Sequence, residues 1–155
     1  MGHAIRQRLK QSHFENDALE AFLNVLVTAN HLRQYLGPVC AAFNITHAQY
    51  NVLRILKGVY PQGHPRSEII CRMIEQAPDV TRLIDRLEKQ ELVERIRSDK
   101  DKRLSIARIT QKGLDLLEKM HPYVKRANTM IETKLTAEEC QELSRLCEKI
   151  YAGNS

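Results

Sequence analysis

Apolar side chains recur at helical spacing along most of this chain, and the polar positions between them divide it into segments. From Asp17 to Leu36 the apolar residues fall on two stripes. Phe22, Val25 or Leu26, Ala29, Leu32 and Leu36 form one; Leu19, Leu23 and Val27 lie beside it. A helix facing a single core needs only the first stripe, so the second predicts a surface that packs on another subunit. Gly37 and Pro38 follow, and a disturbance of the helix is expected there, because proline removes a backbone donor and restricts the residue before it.

The next segment, "ITHAQYNVLRIL", carries Thr46 as N-cap and Gln49 three residues later, the arrangement of a capping box. Val52, Leu53, Ile55 and Leu56 give this helix a buried face. The loop "GVYPQGHP" ends it, and Pro65 suits the first turn of a helix over "PRSEIICRMI". Only Glu75 to Ala77 separate that helix from Pro78, which opens "PDVTRLIDRLEKQ". Two short helices with a tight turn between them predict a helix-turn-helix. In the second helix Val80, Leu83, Ile84 and Leu87 share one face, while Asp79, Arg82, Arg86 and Lys89 or Gln90 lie opposite. An ordinary amphipathic helix with a solvated face divides in the same way; the position after the turn is what singles this one out.

Two segments rich in β-branched residues, "LVERIR" and "LSIARIT", flank the charged stretch "SDKDKR" and predict a pair of antiparallel strands with a projecting loop. Thr110 caps a long helix with Leu114, Leu117, Val124 and Ile131 on its apolar side and a bend expected at Pro122. A last helix starts at the Thr136 and Glu139 capping box and runs to about Tyr151, its stripe being Cys140, Leu143, Cys147 and Ile150.

A length of 155 residues suits one domain over 1–155. Lys and Arg number 24 against 19 Asp and Glu, a net charge of +5. Ten basic and six acidic side chains lie between Arg82 and Lys112, so nearly all the surplus sits in that segment. Such a bias permits a polyanionic partner without demanding one. No apolar run approaches the roughly 20 residues that span a bilayer, and "MGHAIRQRLK" lacks an apolar stretch after its charges, so a soluble, cytoplasmic protein is expected. Cys40, Cys71, Cys140 and Cys147 are far apart with no CxxC pair, and the histidines are scattered, so neither metal, cofactor nor disulfide framework is expected. A glycine-rich phosphate loop, a nucleophile elbow and an HExxH helix are all absent, and no enzyme is expected.

The order of elements, together with "ITHAQYNVLRIL", "DVTRLIDRLEKQELVER" and "DKRLSIARITQKGLDLL", resembles the MarR family of bacterial transcriptional regulators over roughly residues 15–150. In the last segment Asp101, Arg103, Ala107, Ile109, Thr110 and Gly113 stand in the register of that family's wing and the helix after it. The resemblance implies a mainly α fold. A winged helix-turn-helix lobe over 45–110, with a two-stranded β-hairpin wing, would sit between dimerisation helices at 15–44 and 111–151. It further implies a homodimeric, ligand-responsive repressor that binds a palindromic double-stranded DNA operator. A small, often aromatic and anionic, effector would release it. One departure stands out: where the family usually has glycine after the recognition helix, this chain has Glu91. Either Glu91 takes the left-handed backbone that glycine normally supplies, or the helix ends differently.

On the exposed face of the second short helix, Arg82 can donate two bonds to a guanine, Asp79 can accept from a cytosine amine, and Thr81 can touch a thymine methyl or a phosphate. Arg86 and Lys89, further along, suit the phosphate backbone. At the loop tip Lys100, Lys102 and Arg103 suit a narrow minor groove, with Asp101 placed to orient Arg103, although a simple solvated loop would carry the same charges. By the same resemblance His31, Tyr35, Tyr50 and Arg54 can line an effector cleft, or serve as ordinary core and interface groups. Some relatives sense oxidants through cysteine, for which Cys40 and then Cys71 are the candidates, against inert buried thiols. A thiol-based regulator of the same fold and a winged helix used only for protein contacts are the alternative functions.

Overall fold

The computed structural model describes residues 2–77, 79–97 and 104–152. A short helix α1 (His3–Leu9) precedes the long α2 (Asp17–Ala42). Then come α3 (His47–Lys57), a two-residue strand β1 (His64–Pro65), α4 (Arg66–Arg72) and α5 (Val80–Lys89). The hairpin β2 (Val93–Arg97) and β3 (Ser105–Ile109) leads into α6 (Gln111–Glu132) and α7 (Ala137–Tyr151).

Of the longer helices, α3, α6 and α7 start at the caps expected from the sequence, while α2 is capped by Asn16 and α5 by Asp79, so that α5 begins at Val80 rather than at Pro78, which lies outside the described residues. Asn16, Thr46, Asp79, Thr110 and Thr136 each accept a backbone N–H from three residues on, at the heads of α2, α3, α5, α6 and α7. Such a cap stabilises a helix by about 1 kcal/mol. Both capping boxes are complete, with Gln49 Oε1 accepting from the Thr46 N–H at 2.8 Å and Glu139 Oε2 from the Thr136 N–H at 2.8 Å.

Three expectations need correction. The wing is not a two-stranded hairpin alone: β1 joins it antiparallel, in the order β1-β3-β2, with His64 opposite Ala107. A strand this short leaves no periodicity to read. It reaches β3 because Gly63 lacks a Cβ, which would lie 2.2 Å from the Ala107 carbonyl oxygen. Pro65 therefore serves as the extended N-cap of α4, not as part of its first turn. Second, α2 continues through Gly37 and Pro38 to Ala42. The lost backbone donor is offset beyond the proline, where Cys40 is buried and Val39 packs against the same cluster. The third concerns the stripes of α2: Leu19, Phe22, Val25 and Leu26 are exposed, while Leu23 and Val27 are partly covered. The cover is α1, whose Ile5 is buried and shares a groove with Val27.

The main cluster of buried residues lies between residues 40 and 120. Val52, Leu53 and Leu56 of α3 meet Ile69 of α4, Val80, Ile84 and Leu87 of α5, Val93, Ala107 and Ile109 of the sheet, and Leu117 and Met120 of α6. By contrast α7 buries no residue, and it exposes Leu143, Leu146, Ile150 and Tyr151. In the single chain the flanking helices thus present apolar faces without a cover.

The junction between α5 and the wing resolves the question raised by Glu91. Its φ is 61°, the left-handed conformation. The Glu91 N–H donates to the Glu88 carbonyl and the Leu92 N–H to the Leu87 carbonyl, the paired bonds of a Schellman motif, with Leu87 and Leu92 both buried beneath. The helix therefore ends as a glycine would end it, with a side chain held where glycine is favoured. Thr110 closes the same corner: its hydroxyl donates to the Glu91 carbonyl at 2.7 Å and its backbone N–H to the Leu92 carbonyl at 3.1 Å. Glu91→Gly removes the backbone strain at the loss of an exposed ion pair with Lys112, and should raise the thermal midpoint by about 2–4 °C. An unchanged or lower midpoint in differential scanning calorimetry would show that Glu91 sits there without strain.

Candidate nucleic-acid interface

α4, the turn after it and α5 form the helix-turn-helix. The turn is pinned from two sides: the Ile74 N–H donates to Asn51 Oδ1 of α3 at 2.9 Å, and Arg33 of α2 donates to Glu75 at 2.6 Å. Behind α5, Val80, Ile84 and Leu87 are buried; in front of it the polar side chains face solvent.

At the head of α5, Asp79 is engaged twice. One carboxylate oxygen caps the Arg82 N–H at 3.0 Å and the other pairs with Arg82 Nε at 3.0 Å. Arg82 is steered by this pair through Nε, yet its side chain remains 78% exposed. Thr81 Oγ1 accepts a bond from Arg66 of α4 at 3.2 Å. Arg86 and Lys89 are exposed further along the same face. Among the described residues neither of them makes an ion pair.

Asp85 and Glu88 lie on α5 as well, and one residue answers both. Arg95 of β2 donates to Asp85 at 2.5 Å and to Glu88 at 2.6 Å. The Asp85 bond, aided by Glu88, holds the guanidinium pKa above its ordinary value. The clamp engages both carboxylates of α5 with one positive charge, offsetting one of their two charges, and ties that helix to the foot of the wing. Arg108 pairs similarly with Glu94, and Lys112 with Glu91. Much of the basic surplus counted along this segment is therefore already partnered, leaving Arg86, Lys89 and Arg97 without an ion pair among its described residues. Lys100, Asp101, Lys102 and Arg103, at the expected tip of the wing, lie outside the described residues.

The four residues suggested for an effector cleft fall into two local pairs. His31 and Tyr35 meet edge to face on α2, their ring centroids 5.5 Å apart. Tyr50 and Arg54 stand one turn apart on α3, where burial pushes the half-buried Tyr50 phenol up and the Arg54 charge opposes that shift. A groove of about 320 Å³ between α1 and α2, lined by Arg8, Asn24, Val27 and Thr28 among others, includes His31 of the four. Cys40 is buried, and burial pushes its thiol up, which disfavours a reactive thiolate; Cys71 is exposed on α4. Among the described residues no cluster of His, Cys, Asp and Glu is placed to hold a metal, and no helix is long and apolar enough to cross a membrane.

Two elements of this surface escaped the pattern of the sequence. The Arg95 clamp joins a strand to a helix, and only the spacing of Asp85 and Glu88, on one face of α5 and followed by a basic strand, hinted at it. Arg66 lies on α4, not on α5. Its signal was a cation in the first turn of a helix, where the backbone dipole disfavours positive charge.

Comparison with known proteins agrees with this geometry. The family model described as MarR family matches residues 45–105. The homoprotocatechuate degradative operon repressor of Escherichia coli is 29% identical over 122 residues, 78% of this chain and 81% of that protein. S. aureus MepR, solved as a DNA complex, superposes with a TM-score of 0.75 over 92% of this chain and 100% of that one at 20% identity, a likeness of fold. A MarR transcription factor from Planctomyces limnophilus is 34% identical, with a TM-score of 0.66 over 88% of this chain and 98% of its own. With those matches, and a winged helix-turn-helix carried between long flanking helices, the chain belongs to the MarR family of DNA-binding transcriptional regulators.

Proposed function

We propose that this chain is a cytoplasmic repressor that acts by binding rather than by catalysis: a homodimer reads an inverted-repeat operator and releases it when a small molecule binds. The observation that carries the reading is the outer face of α5, where Arg82, Arg86 and Lys89 are exposed while Arg95 holds the acidic Asp85 and Glu88 from behind and offsets one of their two charges. A face cleared of net negative charge, on a helix that follows a pinned turn, suits the major groove. In this reading residues 45–110 form the DNA-binding lobe, and 15–44 and 111–151 form the dimer through the apolar faces of α2, α6 and α7. Arg82 reads a base edge, with Asp79 holding its guanidinium. Thr81, Arg86 and the wing tip of Lys100, Asp101, Lys102 and Arg103 hold the duplex.

The effector belongs between the lobes, near His31, Tyr35, Tyr50 and Arg54, whose rings and cation suit a small aromatic anion. The name of the E. coli relative, a repressor of an operon that degrades an aromatic acid, points to the same chemistry. Selection of bound sequences from a random double-stranded DNA pool tests the reading. An inverted repeat should be enriched, its half-sites about one helical turn apart. Failure to enrich any sequence would leave a protein-contact role in its place.

A further inference from the structure

We propose that the groove between α4, α5 and the foot of the wing seats a backbone phosphate of the bound DNA, with Arg66 as the cation that holds it. This rests on the reading of α5 as the helix that enters the major groove. The groove encloses about 400 Å³. Arg66, Ser67, Thr81 and Ser105 supply its polar lining, and Pro65 and the half-exposed Leu104 lie among its apolar walls. A cation with hydroxyls beside an apolar wall matches a sugar-phosphate unit, whose anion and deoxyribose face need those two surfaces.

The charges in and around this groove single out Arg66. Arg95 also lines it, but its guanidinium is occupied by Asp85 and Glu88, and Arg82 nearby is paired with Asp79. Arg66 bonds instead to a neutral hydroxyl, Thr81 Oγ1 at 3.2 Å, which fixes its direction and leaves its charge uncompensated among the described residues. That bond crosses from α4 to the first turn of α5. A helix lying in the major groove has a sugar-phosphate strand along each edge, and the helix behind it faces one of them. The first turn of α4 also places Arg66 against the helix dipole, a locally unfavourable choice of the kind found where a residue serves binding rather than folding.

The test compares wild type, Arg66→Gln and Arg66→Lys on the DNA selected from the pool and on a scrambled duplex, across a series of salt concentrations. Sedimentation and thermal unfolding of each variant serve as controls; Arg66 is exposed, so both should be unchanged. Arg66→Gln should weaken binding to both duplexes by the same factor, roughly tenfold for the charge-assisted bond lost in each protomer and so on the order of 100-fold for the dimer. The slope of log K against log salt should fall in magnitude by about 1.8 for the bound dimer, about 0.9 for the one phosphate that each protomer seats. Arg66→Lys should keep that slope. If wild type binds DNA and Arg66→Gln leaves the slope unchanged, or alters base preference instead of weakening both duplexes equally, the phosphate seat is overturned while the reading of α5 stands. Wild type without salt-dependent DNA binding overturns both.

Discussion

Arg95→Ala should weaken operator binding on the order of 100-fold while leaving the protein folded. The fold should survive because the clamp lies at the surface, with Arg95 32% and its two partners more than 40% exposed, and such pairs contribute at most about 1 kcal/mol to stability. DNA binding is affected differently. Without Arg95 the carboxylates of Asp85 and Glu88 stand uncompensated on the helix that approaches the phosphates. Each repels the duplex by an amount on the order of 1 kcal/mol at separations and dielectric constants typical of a protein surface. The wing is also untied from the helix. Neutralising the partners in the same background, Asp85→Asn with Glu88→Gln, should restore most of the electrostatic part, and the deficit should shrink as salt is raised. Fluorescence anisotropy with a labelled operator measures both; affinity equal to wild type in Arg95→Ala would mean that α5 does not face DNA.

The second large effect concerns assembly. Phe22→Glu with Leu26→Glu places two charges in the exposed apolar stripe of α2 and should give a monomer at micromolar concentration in analytical ultracentrifugation. The two residues are exposed in the single chain, at 59% and 50%, and lie outside the buried cluster of the winged lobe. The lesion therefore falls on association rather than on the reading surface. A monomer forfeits the effective concentration that a second, linked half-site supplies, so affinity for an inverted repeat should fall by about 10² to 10⁴, while a single half-site should be bound as weakly as by wild type. A variant that stays dimeric with unchanged operator affinity would place the dimer interface elsewhere.

Much of this molecule was legible along the chain where the determinant is local. Thr46 with Gln49 and Thr136 with Glu139 announce helix starts through residues three apart, and both boxes form as expected. Val80, Ile84 and Leu87 mark the inner face of α5 by their spacing alone. Strand β1 was not legible, since its two residues owe their pairing to Gly63 and a partner strand more than 40 positions away. Pro38 misled because a local penalty was offset by packing around Cys40, which no local pattern records. The charges of the interface were legible in number but not in allocation. Arg95 and Arg108 look like free cations in the sequence, and the folded chain assigns them to Glu88, Asp85 and Glu94. Gly113 shows the opposite case: its place in the family register has a local reason, because a Cβ there would lie 2.4 Å from the Leu92 carbonyl oxygen where α6 crosses the end of the wing.

Whether α5 reads base edges through Arg82 is decided by repeating the pool selection with Arg82→Ala beside wild type. Both should enrich an inverted repeat of the same spacing, and the variant should lose base preference at one position in each half-site, worth about 1–3 kcal/mol of discrimination there. An equal loss of affinity across all sequences, with the base profile unchanged, would contradict base reading by α5 and make Arg82 a phosphate contact.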